Sequence, residues 1–274
     1  MLTSSIVVYI TSRDVNKENE LRTIINCISA SIIDRLFVID NSPTDQLKSF
    51  IESQSDKIEY IFSNKNLGYG AAHNIALRRA ISEKSDYHVV LNSDIYFEKG
   101  TIETLKKYMD DDRSIGSVMP MVKYPDGEIQ YLCKLQPTPI DLIGRRFIPT
   151  KLFSSRNTKY ELRHSGYDKV MNVPCLSGCF MFLRTDILSE IGIFDEDFFM
   201  YCEDFDLYKR IHKKYKTVFF PAVSIVHSHK KESYKSSAMF WCHIKSALHY
   251  FNKWGWFFDG ERRRVNKRIL KEIG

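Results

Sequence analysis

The chain has 274 residues, 43% hydrophobic and 27% charged, with a formal net charge of +6. That length suits one large domain or two small ones, and the composition is ordinary for a soluble globular protein. No apolar run approaches the roughly 20 residues that span a bilayer, and MLTSSIVVYI runs into a strand pattern without a basic leader, so neither a membrane span nor a signal peptide is expected.

Residues 5–11 (SIVVYIT) are apolar and β-branched and predict a buried strand. Leu21, Ile24, Ile25 and Ile28 recur at helical spacing over residues 18–30. A second buried strand, RLFVID at 35–40, is stopped by Asn41-Ser42-Pro43, and a short helix follows around 44–54. Residues 58–62 predict a third strand. Gly68-Tyr69-Gly70 opens a helix carrying Ala71, Ala72, Ile75, Ala76 and Ala80, and YHVVL at 87–91 predicts a fourth strand. Strands alternating with helices imply βαβ units, a parallel sheet and right-handed crossovers. Ligands then sit beyond the carboxyl ends of the strands, where Thr11, Asp40, Asn64 and Asp94 would form one polar rim.

A helix from Gly100 to about 112 and a strand, IGSVMPMV, come next. Residues 125–170 hold four of the eight prolines and little periodicity, and predict an irregular excursion. VPCLSGCFMFLRT predicts another strand, Asp186 a cap for the short helix DILSEIG, Glu203 the start of a further helix, and TVFFPAVSIVHSH a last strand. Six scattered cysteines show no zinc-type spacing, so reduced thiols of a cytosolic protein are expected.

Five constellations can carry chemistry. Asn92-Ser93-Asp94 ends a core strand, where a carboxylate either holds a divalent ion bridging two phosphates or caps the next turn. Asp40-Asn41-Ser42 either meets a nucleoside or makes an Asx-turn. NKNLGYGAAHNIAL, at 64–77, offers close backbone approach at Gly68 and Gly70 and an anion-favouring helix start. FDEDFFMYCEDFDLYKR, at 194–210, sets Asp195, Glu196, Asp197, Glu203, Asp204 and Asp206 among aromatics. Such surroundings raise a carboxylate toward a useful general base, although helix-capping acids on a wet surface fit too. His227, ending SIVHSH, is either a metal ligand or structural.

In this order, VIDNS, NLGYGAAHNIA, LNSD, SGCFMFLR, GIFDEDFFMYCEDFDLYKR and FPAVSIVH resemble the inverting family 2 glycosyltransferases of GT-A fold, over roughly residues 4–229. Within the family the chain looks most like bacterial rhamnosyltransferase-type enzymes that build O-antigen or other surface polysaccharides. The resemblance implies an α/β fold, a Rossmann-like, mostly parallel central sheet flanked by helices. It implies a metal-dependent transferase using Mg²⁺ or Mn²⁺, with Asp94 at the last position of the DxD motif and Asn92 where the first Asp would stand. Asp204 then matches the catalytic base of the E-D motif, with Glu203 beside it, Gly178 the acceptor-side glycine, and His227 a histidine reaching the metal or diphosphate. Thr11, Asp40, Asn41, Asn66, Gly68, Asn74, Asn92, Ser93 and Gly178 join Asp94 as expected nucleotide-sugar contacts. The donor is a dTDP- or UDP-sugar, by analogy dTDP-L-rhamnose ahead of a UDP-hexose. The acceptor is a saccharide, in such enzymes often linked to polyprenyl diphosphate. A nucleotidyltransferase would need a glycine-rich, basic loop after the first strand, and TSRDVNKEN has no glycine. A non-catalytic sugar-nucleotide-binding protein would not need both Asp94 and Asp204.

The expected layout is a catalytic domain at 1–229, with a nucleotide-sugar half to 124 and an acceptor half beyond, and a helical extension at 230–274. Residues 228–274 carry 11 Lys or Arg against 4 acids, so the body is almost neutral. Phe240, Trp241, Ile244, Leu248 and Phe251 share a helical face, followed by Trp254, Trp256, Phe257, Phe258 and a cluster from Arg262 to Arg268. This tail is either core or a homodimer interface, or it binds an anionic membrane at the inner face of the cell membrane. Nucleic acid is not an expected partner.

Overall fold

Val89, Val90 and Leu91 are wholly buried, and so are Phe37, Val38 and Ile39, as strands covered on both faces require. Each such side chain contributes about 1.5–3 kcal/mol on leaving water. The structure, a computed structural model, describes residues 1–10, 17–144, 150–228 and 237–273. Thr11, expected on the rim, lies outside the described residues.

The first half alternates as expected: β1 (Leu2–Val8), α1 (Lys17–Ser29), β2 (Arg35–Asp40), α2 (Lys48–Glu52), β3 (Ile58–Phe62), α3 (Tyr69–Ser82), β4 (Tyr87–Leu91). Then come β5 (Ile95–Phe97), α4 (Thr101–Asp111), β6 (Ile115–Lys123), α5 (Pro139–Leu142) and α6 (Thr150–Tyr160). The chain continues through β7 (Met171–Asn172), β8 (Phe180–Arg184), α7 (Leu188–Ile191), α8 (Glu203–His212), β9 (Lys216–His227), α9 (Ser237–Trp254) and α10 (Gly260–Ile273). One nine-stranded sheet runs β3-β2-β1-β4-β8-β6-β9-β5, with β7 beside β9. It is parallel from β3 to β4 and mixed beyond, because β8 enters antiparallel to both β4 and β6. The parallel expectation therefore describes the first four strands.

That reversal positions the site. The carboxyl end of β4 meets the amino end of β8, with Leu91 opposite Phe180. Residues just before β8 thus land on the same rim as those just after β4. Ile95 of β5 pairs with His227 of β9, which brings Asp94 and His227 together.

Three expectations change. Asp186 does not cap α7, whose N-cap is Ile187 without a side-chain bond. Residues 125–170 are no loose excursion where described: Tyr167 binds the Cys133 amide and carbonyl and the Glu161 carbonyl, and Gln130 Nε2 donates to the His227 carbonyl at 2.7 Å. The tail's open alternatives narrow, since part of it is core. Ile269 of α10 joins the main core, and Ala247, Tyr250 and Phe251 of α9 pack with Phe198, Cys202 and Phe205. All six cysteines are free, five of them buried.

Buried histidines set the response to acid. His88 hydrogen-bonds Thr3 Oγ1 and Ser5 Oγ, at 2.8 Å each, and His73 meets the same Ser5 Oγ at 2.7 Å. Burial lowers His88 to about 3 and His212 to about 4, and pushes His73 well down. The unfolded chain binds these protons first, so each histidine removes up to about 1.4 kcal/mol per pH unit as pH falls below about 6.5. Burial raises Glu203 and Asp204, which acts in the opposite direction over the same window, but three histidines outweigh two carboxyls. Thermal melting at pH 5 is expected several degrees below that at pH 7, and an equal or higher melting temperature at pH 5 would contradict this.

Candidate active site

The rim is built by short links between the strand ends. Gly68 stands at φ +83°, and a Cβ there would lie 2.0 Å from the Phe199 carbonyl oxygen. Only glycine fits. This close approach lets the Tyr69 amide donate to that same carbonyl at 2.9 Å, clasping the start of α3 to the 199–204 segment. The Tyr69 hydroxyl lies 2.7 Å from the Gly178 carbonyl and 3.1 Å from Asn92 Oδ1, joining the β8 side to the β4 side.

Asp94 and His227 face each other, with Oδ1 and Nε2 3.4 Å apart, and Asn92 Nδ2 lies 3.2 Å from the same Nε2. His227 Nδ1 is fixed by Gln130 Oε1 at 3.1 Å. Burial disfavours the charged imidazole, but the Cys179 sulfur and the Asp94 carboxylate outweigh it and raise His227 to about 10. A carboxylate and an imidazole at this spacing can be neighbouring ligands of one divalent ion. Gln130 holds the other ring nitrogen, the arrangement that orients a metal-binding histidine.

Opposite them, α8 begins on Glu203-Asp204. Tyr201 and Cys202, immediately before it, both adopt left-handed conformations, at φ 69° and 68°. Two consecutive non-glycine residues there store strain of order 1–3 kcal/mol each, a cost typical of functional sites. Asp204 Oδ1 accepts the Phe205 amide at 2.8 Å and Oδ2 the Gly178 amide at 3.1 Å. A Cβ on Gly178 would sit 3.3 Å from Asp204 Cβ, so this glycine lets the carboxylate approach the backbone. Burial raises both acids, Glu203 to about 8 with Asp204 adding to it, while Lys134 and the two amides favour the Asp204 anion. Two adjacent carboxyls with different surroundings can take different roles, and only Asp204 has a cation and two amides favouring its anion.

Several expected contacts are tied into the protein's own hydrogen bonds. Asp40 is fully buried, accepting the Ser42 amide at 2.8 Å and the Tyr60 hydroxyl at 2.6 Å. Asn41 is buried and donates to the Gly68 carbonyl at 2.9 Å. Asn74 is buried, its amide spent on both backbone groups of Phe194 and on Glu196. Ser93 is almost buried too, while Asn66 is exposed and accepts the Gly68 amide at 2.9 Å. Asp206, among the candidate acids, is wholly buried, paired with Arg210 and Lys253 and accepting the Trp254 indole N–H. Asp195, Asp197 and His249 also bring three ligand atoms within 4.8 Å of one another, but Lys253 Nζ already lies 2.5 Å from Asp195. The sequence reading missed Tyr69, Gln130 and Lys134. Tyr69 lay inside the glycine segment singled out, whereas the other two lie in the stretch without periodicity.

The profile described as Glycosyl transferase family 2 matches residues 7–192, about two thirds of the chain. The chain belongs to glycosyl transferase family 2. Among curated relatives of this family 2 enzyme, E. coli K12 rhamnosyltransferase WbbL is 28% identical over 79% of this chain and 81% of its own. The N-acetylglucosaminyl-diphospho-decaprenol L-rhamnosyltransferase of Mycobacterium tuberculosis is 26% identical over 72% of this chain and 67% of its own. The mannosyltransferase PcManGT of Pyrobaculum calidifontis, solved with GDP-Man and Mn²⁺, superposes with TM-score 0.58 at 15% identity, over 99% of this chain and 74% of that one. The chain spans only 43% of GalNAc-T7, solved with UDP, GalNAc and Mn²⁺, at TM-score 0.57 and 16% identity. These structures share the GT-A fold. Among the described residues no helix is long and apolar enough to cross a membrane.

Proposed function

We propose that this family 2 glycosyltransferase moves L-rhamnose from dTDP-L-rhamnose to a lipid-diphosphate-linked saccharide, inverting the anomeric carbon. The observation that carries the reading is the pair of facing groups on one rim: Asp94 with His227 on the β4–β9 side, and Asp204 on the β8–α8 side. The names of the two rhamnosyltransferase relatives support the sugar, and the decaprenyl-diphosphate name of one supports the acceptor class.

Asp94 and His227 would hold Mg²⁺ or Mn²⁺, which neutralises charge developing on the leaving diphosphate. Asn66, Asn92 and Asp94 present polar atoms to the donor, and the Gly68 clasp keeps their strand ends in register. Asp204 accepts the proton of the acceptor hydroxyl as that oxygen bonds to the anomeric carbon and the carbon–diphosphate bond breaks. A single displacement inverts the centre. Gly178 and the Phe205 amide aim the carboxylate, and Glu203, kept neutral, does not compete for the proton. A lipid-linked acceptor would call for a peripheral enzyme at the inner face of the cell membrane. The catalytic unit would occupy 1–229, with 230–274 packed against it.

Asp94→Ala tests the donor side. It is expected to abolish Mn²⁺-dependent binding of dTDP or UDP, read by calorimetry, while the variant still melts cooperatively because the apolar β4 is unchanged. Undiminished metal-dependent affinity would move the metal elsewhere.

A further inference from the structure

A cavity of about 600 Å³ opens between the 135–141 segment, α6 and α10, away from both Asp94 and Asp204. Its volume suits a small-molecule site, which typically takes 300–1,000 Å³. The walls are apolar, from Leu135, Ile140, Tyr160, Trp256, Phe257 and Leu270. Cations stand around them: Lys159, Arg263 and Lys267 are exposed, and Arg156 is paired with Asp141, the one acid among the described lining residues. Arg262 is spent within the framework, on the carbonyls of Pro137, Gly255 and Trp256. An apolar slot with three exposed cations complements a chain that is hydrocarbon along its length and anionic at its head.

Its position relative to the base decides the occupant. Lys134 favours the Asp204 anion and lies over Phe205, with Nζ 5.5 Å from the ring centroid. The next two residues, Leu135 and Gln136, line the cavity, and Gln136 is locked to Asn266 of α10 through its amide and carbonyl. Two residues of extended chain span about 7 Å. The segment that lines the slot is thus continuous with the residue beside the base.

The geometry points to this slot as the seat of the acceptor's lipid: an isoprenoid chain on the walls of Ile140, Tyr160 and Phe257, its diphosphate against Lys159, Arg263 and Lys267. The inference rests on the proposed lipid-diphosphate acceptor and adds where its lipid binds. Bulk anionic membrane lipid is the competing occupant, and the chain's continuity with the base favours the acceptor.

Farnesyl diphosphate is the probe, titrated by calorimetry into the full chain with EDTA present so that no metal-bound donor site contributes. It is expected to bind at least tenfold tighter than inorganic pyrophosphate. The charge-reversed pair Arg263→Glu with Lys267→Glu, and separately Ile140→Asn at the half-exposed mouth, should each weaken it about tenfold. Affinity for dTDP with Mn²⁺ should not change in either variant, which shows that both are folded. Farnesyl diphosphate binding no tighter than pyrophosphate, wild-type affinity in both variants, or displacement by phosphatidylglycerol vesicles at equal phosphate would each overturn the assignment. In a transfer assay the variants should raise KM for a lipid-linked acceptor about tenfold with kcat kept. Transfer with unchanged KM sinks this inference alone, whereas no transfer to any lipid-linked saccharide by wild type sinks the proposed function.

Discussion

Asp204→Asn is expected to lower sugar transfer by about 10²–10⁴-fold, the usual loss when a general base is removed, while donor affinity stays within twofold. The amide is nearly isosteric. Its oxygen can still accept one of the amides of Gly178 and Phe205 that now hold the carboxylate. What it cannot do is take a proton. Because the base acts on the acceptor, the loss falls on turnover and not on donor binding. The pH–rate profile should also change. Burial raises the Asp204 carboxyl above its ordinary range, so wild-type activity should fall on an acidic limb as this group becomes protonated, and the variant's residual rate should lack that limb. A variant within threefold of wild type would leave Glu203 as the next candidate, since Asp206 is already paired with Arg210 and Lys253.

Asp259→Ala should destabilise the fold by about 3–5 kcal/mol, the cost of leaving a buried charge without its partner. Lys209 is 1% exposed, and its Nζ lies 2.7 Å from Asp259 Oδ2. It sits on α8 one and a half turns after Asp204 and also faces the ring of Trp254, 4.6 Å from the centroid. The pair pins the catalytic helix to the turn between α9 and α10. At about 2–4 °C per kcal/mol for a chain of this size, the melting temperature should fall by about 10 °C. The double substitution Lys209→Met with Asp259→Leu removes both charges and should recover most of the loss, because apolar replacements of a buried pair are often neutral. A single variant melting within 2 °C of wild type would show that the tail does not anchor α8.

The legible parts of this chain were those where one period dominated. RLFVID, residues 58–62 and YHVVL became strands with the expected bounds, the first and last because buried parallel strands are continuous apolar runs bounded by turn residues. Glu203 was legible as a helix start because acids crowd the first turn of α8. The facing of Asp94 and His227 was less so, since it depends on the pairing of β5, three residues long, with β9. Asp40, Asn41 and Asn74 carried the right chemistry at the right strand or helix ends, but their carbonyl, amide and hydroxyl partners come from residues far along the chain. Gln130 and Lys134 sit in a stretch held by Tyr167 and backbone bonds, which leaves no periodic trace. The tail's aromatic stripe split by burial: Tyr250 and Phe251 are core, while Trp241 and Phe258 stay 67% and 92% exposed.

The most direct test of the central claim is the anomeric configuration of the product. Full-length enzyme with Mn²⁺ and dTDP-L-rhamnose would be given a short-chain lipid-diphosphate GlcNAc acceptor, and the new linkage read by proton NMR. A single displacement assisted by Asp204 predicts a product whose anomeric configuration is opposite to the donor's. A product that retains the donor's configuration would contradict it.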